Sequence, residues 1–233
     1  MPKLIGITKK WGNRSIFDDF SYEFKPQKTT VILGKSGVGK TTLLSIIAGT
    51  TDYEGKTEGF GKIGYVFQTP RLIPFMTVKE NLQYALSSVY DKKTCDEKAE
   101  AFFRFADIIP LKNKLAKNLS GGEMQRVSLI RAFLYPSETI LSDEPFSSLD
   151  IGLKMKIIDL YRDLSQKTPK TSLLVTHDID EALFLADEIL FISENGHKTF
   201  YVETKKEDRK YGYEKNNALR AELYELFLQN PSV

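Results

Sequence analysis

The chain has 233 residues, 41% of them hydrophobic, and its 33 Lys and Arg against 31 Asp and Glu leave a net charge of only +2. That balance gives no basic footprint for nucleic acid, no apolar run approaches the ~18 residues of a membrane-crossing helix, and the opening MPKLIGITKKWGNRS lacks a secretory core. The one cysteine, Cys95, excludes an internal disulfide and fits a reducing compartment; set in DKKTCDEKAE, it reads as a surface residue.

Residues 3–24 predict antiparallel strands, because Phe20, Tyr22 and Phe24 alternate with polar neighbours. TTVILG (29–34) reads as a buried strand. It runs into Gly34-Lys35-Ser36-Gly37-Val38-Gly39-Lys40-Thr41-Thr42, a P-loop pattern with a helix over 40–48 behind it. Glycines let successive N–H groups face a phosphate, and the helix N-terminus adds partial positive charge. Lys40 can then reach the β- and γ-phosphates of ATP, and the Thr41 hydroxyl can ligate Mg²⁺. KIGYVF (62–67) is the next strand.

Residues 78–136 are almost wholly helical. A helix over 96–107 carries Ala99, Phe102, Phe103 and Ala106 on one stripe. A second, 121–134, opens with NLSGGEMQR. There Ser120 and Glu123 fit a capping box, but Gly121 and Gly122 each cost a helix roughly 1 kcal/mol relative to alanine. Side-chain-free residues at a helix start let a phosphate approach closely. ETILSD (138–143) ends in Asp143, followed by Glu144. Alone this is either a polar strand end or a metal site. Beside a P-loop it reads as a magnesium-holding carboxylate and a water-activating one.

Helices at 152–166 and 179–186 alternate with strands at 171–176 and 188–193, and Asn195-Gly196 signals a hairpin. A mixed-charge stretch, TKKEDRKYGYEK, precedes a last helix with Leu219, Leu223, Leu226 and Phe227 on one face. That helix either packs on the domain, contacts a twin, or regulates. Strands alternating with helices predict an α/β fold with a mostly parallel sheet covered on both sides.

In order, GKSGVGKTT, VFQ, LSGGEMQR, LSDEPFSSLD and VTHD resemble the motifs of the nucleotide-binding subunit of ATP-binding-cassette transporters, over nearly the whole chain. The resemblance implies a P-loop NTPase core with a β subdomain (1–77 and 137–203), an inserted helical subdomain (78–136) and a C-terminal extension (204–233). It implies that Gln68 touches Mg²⁺ or the attacking water, that Glu144 is the catalytic glutamate, and that His177 contacts the γ-phosphate. Asp150 matches the loop that communicates across a dimer. Trp11 stands where the family places an adenine-stacking aromatic, although an ordinary aromatic role stays open. Ser120, Gly121, Gly122 and Glu123 would close over ATP held by a second copy or a similar cassette.

Partners implied are that second cassette, a membrane permease and a solute-binding protein, with the chain at the cytoplasmic face of the membrane and no nucleic acid. PRLIPFMTVKENL (70–82) resembles the groove edge that receives the permease, or else packs inside the helical lobe. That stretch and VTHDIDEALFLADEILFIS look like the importers of nitrate, sulfonates, taurine and thiamine precursors. An exporter or lipoprotein-release ATPase, or a soluble ATPase on DNA or ribosomes, is the alternative. Two departures stand out: Glu123 where glutamine is commonest, with its charge near phosphates, and a short segment after the P-loop helix. His197 reads as structural.

Overall fold

The computed structural model describes residues 1–147, 149–209, 211 and 217–229. Its first strands, β1 (Lys3–Trp11) and β2 (Arg14–Glu23), form an antiparallel pair that β4 (Glu54–Glu58) extends on the other side of β1. β4 is the whole strand content of the short segment after the P-loop helix.

A second sheet has six strands in the order β5-β6-β7-β3-β8-β9. They are β3 (Thr29–Leu33), β5 (Ile63–Val66), β6 (Thr139–Asp143), β7 (Thr171–Thr176), β8 (Glu188–Ser193) and β9 (Gly196–Tyr201). All pair in parallel except β9, which returns antiparallel beside β8. Ser193 pairs with Gly196, so the hairpin loop is Glu194-Asn195 and Gly196 opens the return strand. β3 and β7 are buried along their whole length, as strands covered on both faces must be. Val31 and Leu33 face one way, into a core with α4 (Gly121–Leu134), α5 (Ile151–Lys167) and α6 (Ile179–Leu185). Ile32 faces the other, with α1 (Lys40–Ile47) and the three-stranded sheet.

A third core holds the helical segment together: α2 (Val78–Leu86), α3 (Lys92–Phe105) and one side of α4. Cys95 lies in it, 3% exposed, and the expectation of a surface cysteine is wrong. The reason is the helix start. Asp91 caps α3 by accepting from Thr94 N at 2.8 Å, one turn before the predicted 96, so Cys95 falls in line with Ala99 and Phe102 on the inward stripe. Ahead of α2, the loop at 70–77 is fastened by buried Asn81, which accepts from Ile73 N at 2.8 Å and donates to Ile73 O at 3.1 Å. Leu72 packs inward there while Phe75 stands 77% exposed.

The last helix, α7 (Asn217–Gln229), lies on the main core: Leu223 is fully buried, Leu219 and Leu226 pack beside it, and Phe227 meets Phe191 edge-on at 5.3 Å. Of the mixed-charge run before it, 210 and 212–216 lie outside the described residues. Within the rest, Arg209 Nε donates to Thr204 O at 2.7 Å, Lys206 Nζ to Asp187 Oδ2 at 2.7 Å, and the Tyr211 hydroxyl to Asp178 Oδ2 at 3.1 Å. Arg220 pairs with Asp180. Packing on the domain is therefore the observed arrangement of this helix. His197 sits against the Phe20 and Tyr22 rings, at 4.9 and 5.8 Å, a packing role as expected.

Candidate active site

Gly34 follows β3, Gln68 follows β5, Asp143 ends β6 with Glu144 next, and His177 follows β7. These parallel strands all end on one edge of the sheet, and the crevice outside carboxyl strand ends is where open α/β sheets bind ligands. The loop from Gly34 to Gly39 delivers the chain into α1. At Gly39, φ is +103°, and a β-carbon there would lie 2.4 Å from Ile16 Cγ2. Only glycine combines that backbone with that closeness.

Lys40 is buried, and its ammonium donates to Gly34 O at 2.7 Å and Lys35 O at 2.6 Å. Burial draws its pKa below the ordinary lysine value, although the Glu144 and Asp143 carboxylates pull the other way. Thr41 Oγ1 donates to Asp143 Oδ1 at 2.9 Å. Burial lifts the Asp143 carboxyl above its usual range, with that hydrogen bond opposing and the Glu144 charge adding. A hydroxyl and a carboxylate side by side are hard oxygen donors suited to magnesium. Among the described residues no group of three or more His, Cys, Asp or Glu gathers that could hold a metal. An ion here would take its remaining ligands from phosphate and water, as Mg²⁺ does with nucleotides.

Glu144 has φ +41°, a left-handed backbone in a non-glycine residue, which costs of order 1–3 kcal/mol. It is held there by its own N–H to Val175 O at 3.0 Å and by Ser147 Oγ donating to its carbonyl at 3.1 Å. Its carboxylate Oε2 lies 3.4 Å from His177 Nδ1. Gln68 Nε2 donates to Ser147 Oγ at 3.3 Å, joining it to the loop that supports Glu144.

A cavity of about 330 Å³ opens above the loop. Ser36, Gly37, Gly39, Lys40, Thr41, Thr42 and Glu144 form its floor, while Val38 turns down into the core. Its wall is the tip of the β1–β2 hairpin, with Trp11, Arg14 and Ile16. Trp11 is 55% exposed. Arg14 and Ile16 escaped the sequence reading. The available signal was Gly12-Asn13, a two-residue turn that pairs Trp11 with Arg14 across the hairpin.

Ser120 to Glu123 form the expected capping box: Glu123 N donates to Ser120 Oγ at 3.3 Å, and Ser120 N to Glu123 Oε2 at 2.7 Å. Those bonds, with Lys114 Nζ 3.0 Å away, hold the Glu123 carboxyl below its usual range and offset its charge. The two glycines divide. A β-carbon on Gly121 would meet nothing within 4 Å, whereas one on Gly122 would sit 2.2 Å from Leu153 Cδ2. Gly122 is therefore explained by packing against α5, and only Gly121 is open to an approaching group. Asp150 caps α5, accepting from Leu153 N at 3.0 Å. Among the described residues lining the cavity, neither Asp150 nor any of Ser120 to Glu123 appears.

A family model described as ABC transporter matches residues 17–147. The chain is 38% identical to an aliphatic sulfonates import ATP-binding protein, SsuB 2, of Pseudomonas syringae pv. tomato, over 78% of each chain. It is 36% identical to the Fe(3+) ions import ATP-binding protein FbpC of Brucella abortus, over 82% of this chain and 58% of that one. Among solved structures it resembles the dimeric bacterial ABC transporter cassette MJ0796, with TM-score 0.75 and 28% identity, over 88% of this chain and all of that one.

Proposed function

The chain belongs to the ABC transporter family as an ATP-hydrolysing cassette, and on that premise we propose that two cassettes close over two ATP molecules to drive solute import. One observation carries the pairing: the cavity above the P-loop takes none of its lining from the capped glycine helix start. A P-loop that already owns its phosphate cradle leaves the second phosphate-binding helix start for a neighbour. Two-fold symmetry then makes two equivalent sites.

In this reading Lys40 and the loop N–H groups grip the β- and γ-phosphates, and Trp11 stacks on adenine. Thr41 and Asp143 would hold a magnesium ion and Gln68 would add a ligand; bound there, the ion would neutralise phosphate charge. Glu144 takes a proton from the attacking water. His177, within reach of Glu144, donates to the γ-phosphate. Ser120 contributes a hydroxyl whose oxygen already accepts from Glu123 N, leaving its proton for the neighbour's phosphate, and Gly121 lets that phosphate come close. Asp150 relays between copies.

The cargo we assign is a small anion of the sulfonate class, supported by the import proteins the chain resembles. No helix of the described residues is long and apolar enough to cross a membrane. A peripheral place on the cytoplasmic face, beside a permease and its solute-binding protein, follows from the importer reading. The exposed Phe75 on its fastened loop is the permease contact we favour. Glu144→Gln tests the mechanism: ATP binding persists, hydrolysis falls at least ~100-fold, and light scattering finds an ATP-dependent dimer. Normal turnover by this variant would remove Glu144 as the base.

A further inference from the structure

Lys9 stands two residues before Trp11 on the same face of β1 and is shielded, with its side chain 3% exposed. An ammonium taken from water is costly unless its partners replace the lost hydration. Lys9 has two. Its Nζ donates to Asp52 Oδ1 at 2.9 Å and lies 4.2 Å from the centroid of the Trp11 ring. Asp52 comes from the turn after α1, and its own side chain is 96% exposed. It is therefore an outer tether, reaching in to hold a shielded cation against an indole.

We infer that Lys9 is a positioning residue for nucleotide binding: anchored by Asp52, its ammonium fixes the Trp11 indole from one face and leaves the opposite face as a preset platform for adenine. This rests on the reading of Trp11 as the base-stacking residue. The physical content is preorganisation. Trp11 sits at a hairpin tip and is 55% exposed, so an untethered indole would lose side-chain freedom when a base stacked on it. A cation over the ring removes that freedom beforehand, and the binding cost with it. α1 would then serve both ends of the nucleotide: its first residues take the phosphates, and the turn behind its last holds the lysine beneath the base.

Trp11 is the only tryptophan in the chain, so intrinsic emission reports on the platform directly. The test compares Lys9→Met, Asp52→Asn, Trp11→Ala and the Lys9→Met/Trp11→Ala double variant, using steady-state ATP hydrolysis and acrylamide quenching. Lys9→Met is expected to raise the KM for ATP roughly threefold to tenfold while kcat stays within about twofold. Acrylamide should quench Trp11 more readily without nucleotide, and Asp52→Asn should move both readouts the same way by less. In the Trp11→Ala background Lys9→Met should add nothing, because the lysine acts through the indole. The inference is overturned if Lys9→Met leaves KM and quenching unchanged while Trp11→Ala raises KM, or if its effect persists undiminished without Trp11. An unchanged KM in Trp11→Ala alone would instead remove the platform reading, and this inference with it.

Discussion

Gly121 and Gly122 occupy one sequence dipeptide and meet different surroundings. Gly122 packs directly under the Leu153 side chain, whereas Gly121 has empty space where a side chain would go. Gly121→Ala should therefore stabilise the fold by up to ~1 kcal/mol through helix propensity, a rise of about 2–4 °C in Tm for a chain this size. Turnover should nonetheless fall, because a methyl group would stand where the neighbour's phosphate must come. Scanning calorimetry and ATPase assay on the same sample separate the two effects; a variant both stabler and fully active would deny Gly121 its proposed task. At this scale the placement of the P-loop, Asp143 and Glu144 was legible because each pairs a residue type with a strand end, while His177 entered only through the family resemblance of VTHD. The division of labour between two adjacent glycines was not, since it depends on Leu153, which arrives from a distant helix. Arg14 and Ile16 were missed for the same reason: their relation to the cavity exists only after the hairpin folds back.

The strands of the core were readable from short, bounded β-branched and aromatic runs and its helices from their periodicity, with ends shifted by a residue or so. α3 was the exception, where a capping Asp91 starts the helix a turn early and draws Cys95 inside. The C-terminal extension was least readable, because its apolar face says that it packs without saying on what. It turns out to be tied to α6 and the start of β8 through three aspartates, Asp178, Asp180 and Asp187. Burial opposes ionisation of Asp178 and Asp187, yet Lys154 at the first and Lys206 at the second outweigh it, leaving both carboxyls below the usual range. A depressed folded-state pKa contributes stability that is complete above the unfolded value of about 3.9 and is lost as pH falls through the lower folded values. Hydrogen exchange over 204–209 and 217–229 should therefore stay protected until pH drops below ~4, then rise ahead of the central sheet. Loosening already near pH ~6 would contradict this assignment, because both carboxylates remain ionised there.

For the molecule as a whole, the paired reading makes Ser120→Arg informative. Losing an N-cap costs typically ~1 kcal/mol, small against the 5–15 kcal/mol that holds a domain of this kind together, so the variant should fold and bind ATP on its own P-loop. Turnover should vanish, because the bulky cation blocks the surface offered to the other copy. Equilibrium binding by a labelled nucleotide and phosphate release are the two measurements; normal hydrolysis would mean a single copy suffices. How the pairing closes follows from the contact between Gly122 and Leu153. It seats the first turn of α4 on the first turn of α5, just beyond Asp150, so the two stretches proposed to meet another cassette share one packed seat. On the paired reading, a second copy would then be expected to meet both stretches as one surface.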